Sequence, residues 1–219
     1  MNLATLRTQV GAFLGDPDDA RWTTAVKLTA LNRAQEQFAL DTQALFKDTS
    51  WSHAANDADE NLPSDFMWED YVSWDGYEIR PISRHELNRL NSGTDWTDDS
   101  STSPTHYIID PEEAVKEIVL YPIPTEAKTL RMRYFPLPTA LSSDSDVPLN
   151  SSALMAQFHI GIAAYATWLL LLNEEQTPAI VQKQKAMLTI YNDMTEKAIS
   201  KFKNTASAPI KKKGWFVWR

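Results

Sequence analysis

Apolar positions recur at helical spacing at both ends of this chain and alternate with polar ones in its middle. Near the start, Leu3, Leu6, Val10, Phe13 and Leu14 fall on one helical face, which predicts a first helix over residues 2–14, ended by Gly15, Asp16 and Pro17. Thr23 or Thr24 suits the cap of a second helix that reaches about Ala44, with Val26, Leu31, Ala34, Phe38 and then Leu45 as its buried stripe. Past Phe46 the period changes to two: Thr49, Trp51 and His53 share a face, and an acidic turn over residues 55–61 follows. Residues 67–74 read as a strand, Asp75-Gly76 as a hairpin turn, and residues 77–81 as the returning strand. Ser83, with Glu86 three positions on, predicts a short capped helix. Residues 91–103, rich in Gly, Ser, Thr and Asp around Trp96, read as an exposed, mobile loop. Strands resume at 105–110, 116–121 and 129–134, the last two joined by Pro122-Ile123-Pro124 in what fits an antiparallel meander. That makes about five short strands.

The stretch that organises the rest is 153–172, which carries no charged residue. Asn150, Ser151 and Ser152 each suit an N-cap, so a helix is expected from there to Leu172. An uncharged run of about 20 residues is long enough to span a bilayer. Gln157 and His159 interrupt it, six Ala and Gly positions dilute it, and no Lys or Arg flanks it, so burial among other elements is the expectation and no membrane is called for. After Pro178, a long amphipathic helix over 179–202 carries Ile180, Met187, Ile190, Tyr191, Met194, Ala198 and Phe202. The fold class expected is therefore α+β: a helical body from residues 1–45 and 136–206, a small antiparallel β insertion over 46–135, and a C-terminal tail over 207–219.

Charge changes this picture more than composition does. The net charge of −8 is uneven, because residues 41–113 hold 17 acidic and four basic side chains. The tail holds Lys211, Lys212, Lys213 and Arg219 beside Trp215, Phe216, Val217 and Trp218. An acidic body disfavours adhesion to nucleic acid, and a basic aromatic tail suits a docking peptide that enters an acidic groove. The 219 residues contain no cysteine, which removes disulfides, thiolate metal sites and cysteine nucleophiles together. The N-terminus lacks the basic and apolar segments of a signal peptide.

The search for catalytic chemistry is mostly negative. No phosphate-binding glycine loop, nucleophile elbow or zinc-protease motif is present, and His53, His85, His106 and His159 fall in four different elements. Asp144 and Asp146 could supply half a divalent-metal site, but a turn is the stronger reading, as it is for residues 57–60 and 95–99. No enzyme activity, cofactor or metal is expected. Five of the eight tryptophans sit in patterned elements and read as core; Trp96, Trp215 and Trp218 do not. Trp96 among Asp95, Asp98 and Asp99 suggests an exposed contact loop or, as the alternative function, a carbohydrate- or receptor-binding module.

These residues also resemble the head-to-tail connector or adaptor proteins of tailed bacteriophages. The likeness runs through Leu3-x-x-Leu-Arg, Leu14-Gly-Asp-Pro, Arg21-Trp-Thr, Leu31-Asn-x-Ala-Gln, Leu62-Pro-Ser-Asp-Phe and Ile79-Arg-Pro-Ile-Ser. It continues through Leu120-Tyr-Pro-Ile-Pro, Leu130-Arg-Met-Arg-Tyr and Asp144-Ser-Asp-Val-Pro-Leu. It implies a structural virion protein at the head–tail junction, assembled in the host cytoplasm as a homo-oligomeric ring of twelve. Such a ring lies between the portal protein and the downstream tail or nozzle protein, and DNA passes through its lumen without specific binding. The family habit of docking a terminus on the portal suggests that role for the tail from Lys211 to Arg219.

Overall fold

The computed structural model describes residues 1–90, 96–110, 116–151 and 153–203. It is α+β, as the patterns predict, and divides into two compact units: Met1–Leu45 with the described residues from Pro138 onward, and Phe46–Leu137.

The first unit is helical. Helix α1 (Leu3–Leu14) is capped by Asn2, whose Oδ1 accepts from the Thr5 N–H at 3.0 Å, and it ends at Gly15 in the left-handed region at φ 76°. Helix α2 (Thr24–Thr42) starts on the Thr23 cap. Its buried face is Ala30, Leu31, Ala34 and Phe38, with Lys27 and Gln35 also buried, whereas Val26 is 40% exposed and lies off the expected stripe. Position 27 takes the inward place because its ammonium has partners there, described below.

The uncharged stretch folds later than expected. Short 3-10 turns occupy Leu149–Ser151 and Ala153–Phe158, and α4 runs only from His159 to Leu171. The first presumed cap is spent elsewhere: Asn150 sits at φ 55°, and its Oδ1 accepts from the Thr139 N–H at 2.8 Å. The neighbouring Leu149 N–H reaches Gln35 Oε1 instead of a helical carbonyl. Once formed, α4 is buried on most of its circumference and packs against α1, α2 and the long helix α5 (Pro178–Lys203). A Cβ placed on Gly161 would stand 2.8 Å from Met194 Cβ, so α4 and α5 touch almost backbone to backbone.

The second unit departs further from expectation. Instead of about five strands, ten occur among the described residues: β1 (Lys47–His53), β2 (Asp59–Asn61), β3 (Phe66–Trp74), β4 (Tyr77–Glu78), β5 (Arg80–Pro81), β6 (Ser100–Ser101), β7 (His106–Ile109), β8 (Glu117–Tyr121), β9 (Ile123–Pro124) and β10 (Lys128–Pro136). A short helix α3 (Arg84–Leu90) follows β5, with the Ser83 Oγ accepting from the Glu86 N–H. The strands form two four-stranded sheets, ordered β1-β10-β3-β4 and β2-β8-β7-β5, and a two-stranded β6-β9 pair. Strands β8 and β10 therefore lie in different sheets, not in a meander. The return strand also splits: after the Asp75-Gly76 turn, both residues at positive φ, Tyr77 pairs with Trp74, but Arg80 and Pro81 pair parallel with β7. Alternate residues of both sheets, Val72, Trp74, Leu130 and Met132 with Tyr107, Ile118 and Leu120, share one core.

Candidate functional site

Asp144 and Asp146 make structural contacts. Asp146 accepts from the Ser142 and Ser143 N–H groups, both at 2.8 Å, and from the Ser143 hydroxyl at 2.7 Å. These bonds, led by the Ser143 hydroxyl, hold its carboxyl far below the usual aspartate range. Its carbonyl accepts from the Leu3 N–H at 2.8 Å and that of Asp144 from the Ala4 N–H at 3.2 Å, which satisfies free donors in the first turn of α1. The Asp144 carboxylate pairs with Arg7. The turn reading of this motif is the right one, and among the described residues no group of three or more His, Asp or Glu side chains could hold a metal ion.

The loop around Trp96 is held by specific contacts. The Trp96 indole Nε1 donates to Asn88 Oδ1 at 2.7 Å, and its ring meets Tyr121 edge-on at 6.1 Å. Asp99 accepts from the Tyr121 hydroxyl at 2.8 Å, and its carbonyl accepts from the Ile123 N–H. Asp98 is exposed; Asp95 lies outside the described residues. Trp96 is thus held by specific contacts on a loop that is exposed, as expected, at Asp98 and Asp99. The tail residues Lys211, Lys212, Lys213, Trp215, Phe216, Val217, Trp218 and Arg219 also lie outside the described residues.

Two buried polar clusters had no clear signal in the sequence. Lys27 Nζ is fully enclosed, donating to the Asp16 carbonyl at 2.8 Å and to the Asp19 carboxylate. Asp16 in turn accepts from the Trp22 N–H at 2.9 Å and from those of Ala20 and Arg21, and these contacts depress its carboxyl pKa. The motif Leu14-Gly-Asp-Pro thus builds a caged turn between α1 and α2. In the second cluster, Asn32 and Gln35 on α2 bind the chain as it returns from the insertion. Asn32 accepts from the Leu141 N–H at 2.7 Å and donates to its carbonyl at 3.1 Å, while Gln35 donates to the Thr139 carbonyl at 3.0 Å. Both residues belong to the Leu31-Asn-x-Ala-Gln motif, whose role could not be read without the partner segment.

His159 is buried beside the N-terminus, with Nδ1 2.9 Å from the Met1 nitrogen. Burial, reinforced by the nearby ammonium, lowers its pKa to about 4. The neutral ring accepts from the ammonium. His53 places Nδ1 at 2.9 Å from Glu60 Oε1 and Nε2 at 3.0 Å from the Asp57 carbonyl, so it staples the acidic turn to β1.

A surface feature remains. Beside the β3–β4 hairpin lies a groove of about 280 Å³ whose walls include Trp74, Tyr77, Glu78, Ile79, Arg80 and Pro104. Tyr77 is 78% exposed, the most open large hydrophobic side chain among the described residues.

The described polar clusters, then, are hydrogen-bonded cages and staples within each unit. A model of the SU10 adaptor protein family matches residues 1–212. The chain belongs to that family. The adaptor is accordingly a structural protein of a bacteriophage, as the resemblance implied, and a component that assembles with other virion proteins. No curated protein matches it. Among the described residues, no helix of the adaptor is long and apolar enough to cross a membrane.

Proposed function

We propose that the adaptor forms a ring of identical copies, twelve in number, between the portal and the next tail component, and leaves an axial channel for DNA. The family match over residues 1–212 carries this reading. Two further observations support it. The 17 acidic and four basic side chains of residues 41–113 suit a wall past which DNA must slide, since basic contacts that release counterions are what make DNA adhere. The hydrogen-bonded cages of the helical unit suit a part that transmits load. The β insertion is the surface offered to the tail side, including Trp96, Asp98 and Asp99.

The test is the mass of the purified adaptor in solution by light scattering, alone and mixed with its portal, together with negative-stain images of the mixture. Rings alone, or rings that form only on the portal, are expected. A monomer indifferent to the portal overturns the reading.

A further inference from the structure

Strand β1 presents a long free edge. It is terminal in its sheet, and it pairs with β10 over all seven residues, Lys47–His53, without a bulge or a proline. Edges of that kind are templates for a further strand. The direction of the free groups follows from bonds elsewhere in the sheet. The Asp75 N–H donates to the Thr129 carbonyl at 2.9 Å, and the Ile79 N–H to the Val72 carbonyl at 3.1 Å. Successive residues of a strand turn their main-chain groups to opposite sides, so those of Thr129 and Arg131 point to β3 and those of Lys128, Leu130 and Met132 to β1. His53, Trp51 and Thr49 receive them, which leaves the N–H and carbonyl groups of Asp48, Ser50 and Ser52 facing away from the sheet. No hydrogen bond joins those groups to another described residue, and all three residues are exposed. The charges at the start of the strand are answered within the unit, Lys47 by Asp65 at 2.8 Å and Asp48 by Arg133 at 3.1 Å. Charges already paired are a weak guard against a strand laid alongside.

We propose that β1 of one adaptor pairs antiparallel with β1 of a second copy, centred on Ser50, and that the free chain is this two-fold dimer. The strand complements itself in that register. Ser50 meets Ser50, and Asp48 meets Ser52 twice, so every outward-facing residue enters a hydrogen-bonded pair, about six bonds in all. A slip of two residues in either direction loses one of those pairs. On the face towards the core, Thr49 meets Trp51 twice, in the closely spaced class of pair. Trp51 is only half-buried in its own unit, and a β-branched neighbour across the seam covers it. Lys47 meets His53, whose ring holds Glu60 at 2.9 Å, so opposite charges come together at each end and no like charges stand opposed. This match in charge and side chain selects a second copy as the occupant. Antiparallel pairing turns one copy over relative to the other, so the seam closes after two copies and is separate from the repeating contact of a ring. The dimer is the form in which the adaptor waits for the portal.

Sedimentation of the full chain, without the portal, should give a dimer. Ser50→Pro should raise its dissociation constant by about a hundredfold, because proline removes the central donors of the seam. The Ser50 N–H takes no part in the ladder to β10, so the circular dichroism and urea midpoint of this variant should stay close to those of the unmodified chain. The absence of cysteine supplies a second measure that does not depend on how proline is tolerated. Under mild oxidation Ser50→Cys should crosslink rapidly into dimers, since directly opposed residues lie within disulfide reach. Ser52→Cys, whose two copies stand about 13 Å apart in this register, should crosslink about tenfold more slowly. Equal rates overturn the seam, as does a dimer that Ser50→Pro leaves as tight as before. A chain that is a monomer or a ring without the portal, and a ring with it, overturns the dimer and leaves the ring reading standing. A dimer that ignores the portal upholds the seam and overturns the ring.

Discussion

At the scale of single residues, the helical unit depends on charges that composition would place in water. Lys27 is fully enclosed and pairs with Asp16 and Asp19, which are partly open to water, so its removal empties a buried site and deletes the bonds its ammonium makes. Lys27→Ala should therefore lower the unfolding free energy by about 3 kcal/mol in urea titrations. The added loss should be smaller in an Asp19→Ala background, as a double-mutant cycle would show. His159 predicts a pH dependence. Its folded pKa of about 4 lies below the ordinary 6.5, so between those values the unfolded chain binds a proton that the folded chain does not. Stability should fall as pH drops through that window and this contribution should level off below it; His159→Gln should flatten the urea midpoint between pH 7 and 4.5. The carboxyls of Asp16, Asp19 and Asp146 have depressed pKa values, so their contribution is present above 3.8 and is lost only at more acid pH. The two acid losses are therefore separable. The turn at Asp146 was legible beforehand, but the roles of Lys27 and His159 were not, because a buried lysine and a solvated one look alike until the cage around them is seen.

At the scale of elements, periodicity foretold the helices well where packing and local preference agree. Helices α1, α2 and α5 begin and end within a few residues of their apolar patterns. It failed at 149–158, where Asn150 is a good cap in isolation but is claimed by the returning chain at Thr139. The strands were visible as strands, yet their partners were not: alternation tells which side chains face a core and nothing about which sheet receives the edge. That is why the 77–81 segment, one strand in pattern, serves two sheets. The tight α4–α5 crossing makes a local prediction. Gly161→Ala should destabilise the fold by about 1–3 kcal/mol through overpacking. Met194→Ala should not rescue it, since the clash is with Met194 Cβ, which alanine retains. Differential scanning calorimetry of the single and double variants would show this. Asn32→Ala should cost about 1–3 kcal/mol for a different reason, because it leaves the Leu141 N–H and carbonyl without their partner.

At the scale of the whole molecule, the sequence made the class, the charge imbalance and the family legible, since these are sums over many residues and survive local errors. The candidate loop at Trp96 was not, because a Gly- and Ser-rich composition hides the hydrogen bonds that pin it. One prediction belongs here: neutralising exposed carboxylates in residues 41–113 should slow DNA ejection from assembled particles and increase its dependence on salt, and unchanged ejection would count against an acidic channel wall. The chain also leaves the first unit at Leu45 and rejoins it at Pro138, and β1 pairs antiparallel with β10 so that Lys47 faces Tyr134. The way out and the way back thus stand side by side, like the two wires of a plug. Residues can be gained, lost or exchanged between them without stretching the helices behind. The adaptor can in this way vary its insertion while the helical unit keeps its core, so the two units are free to diversify at different rates.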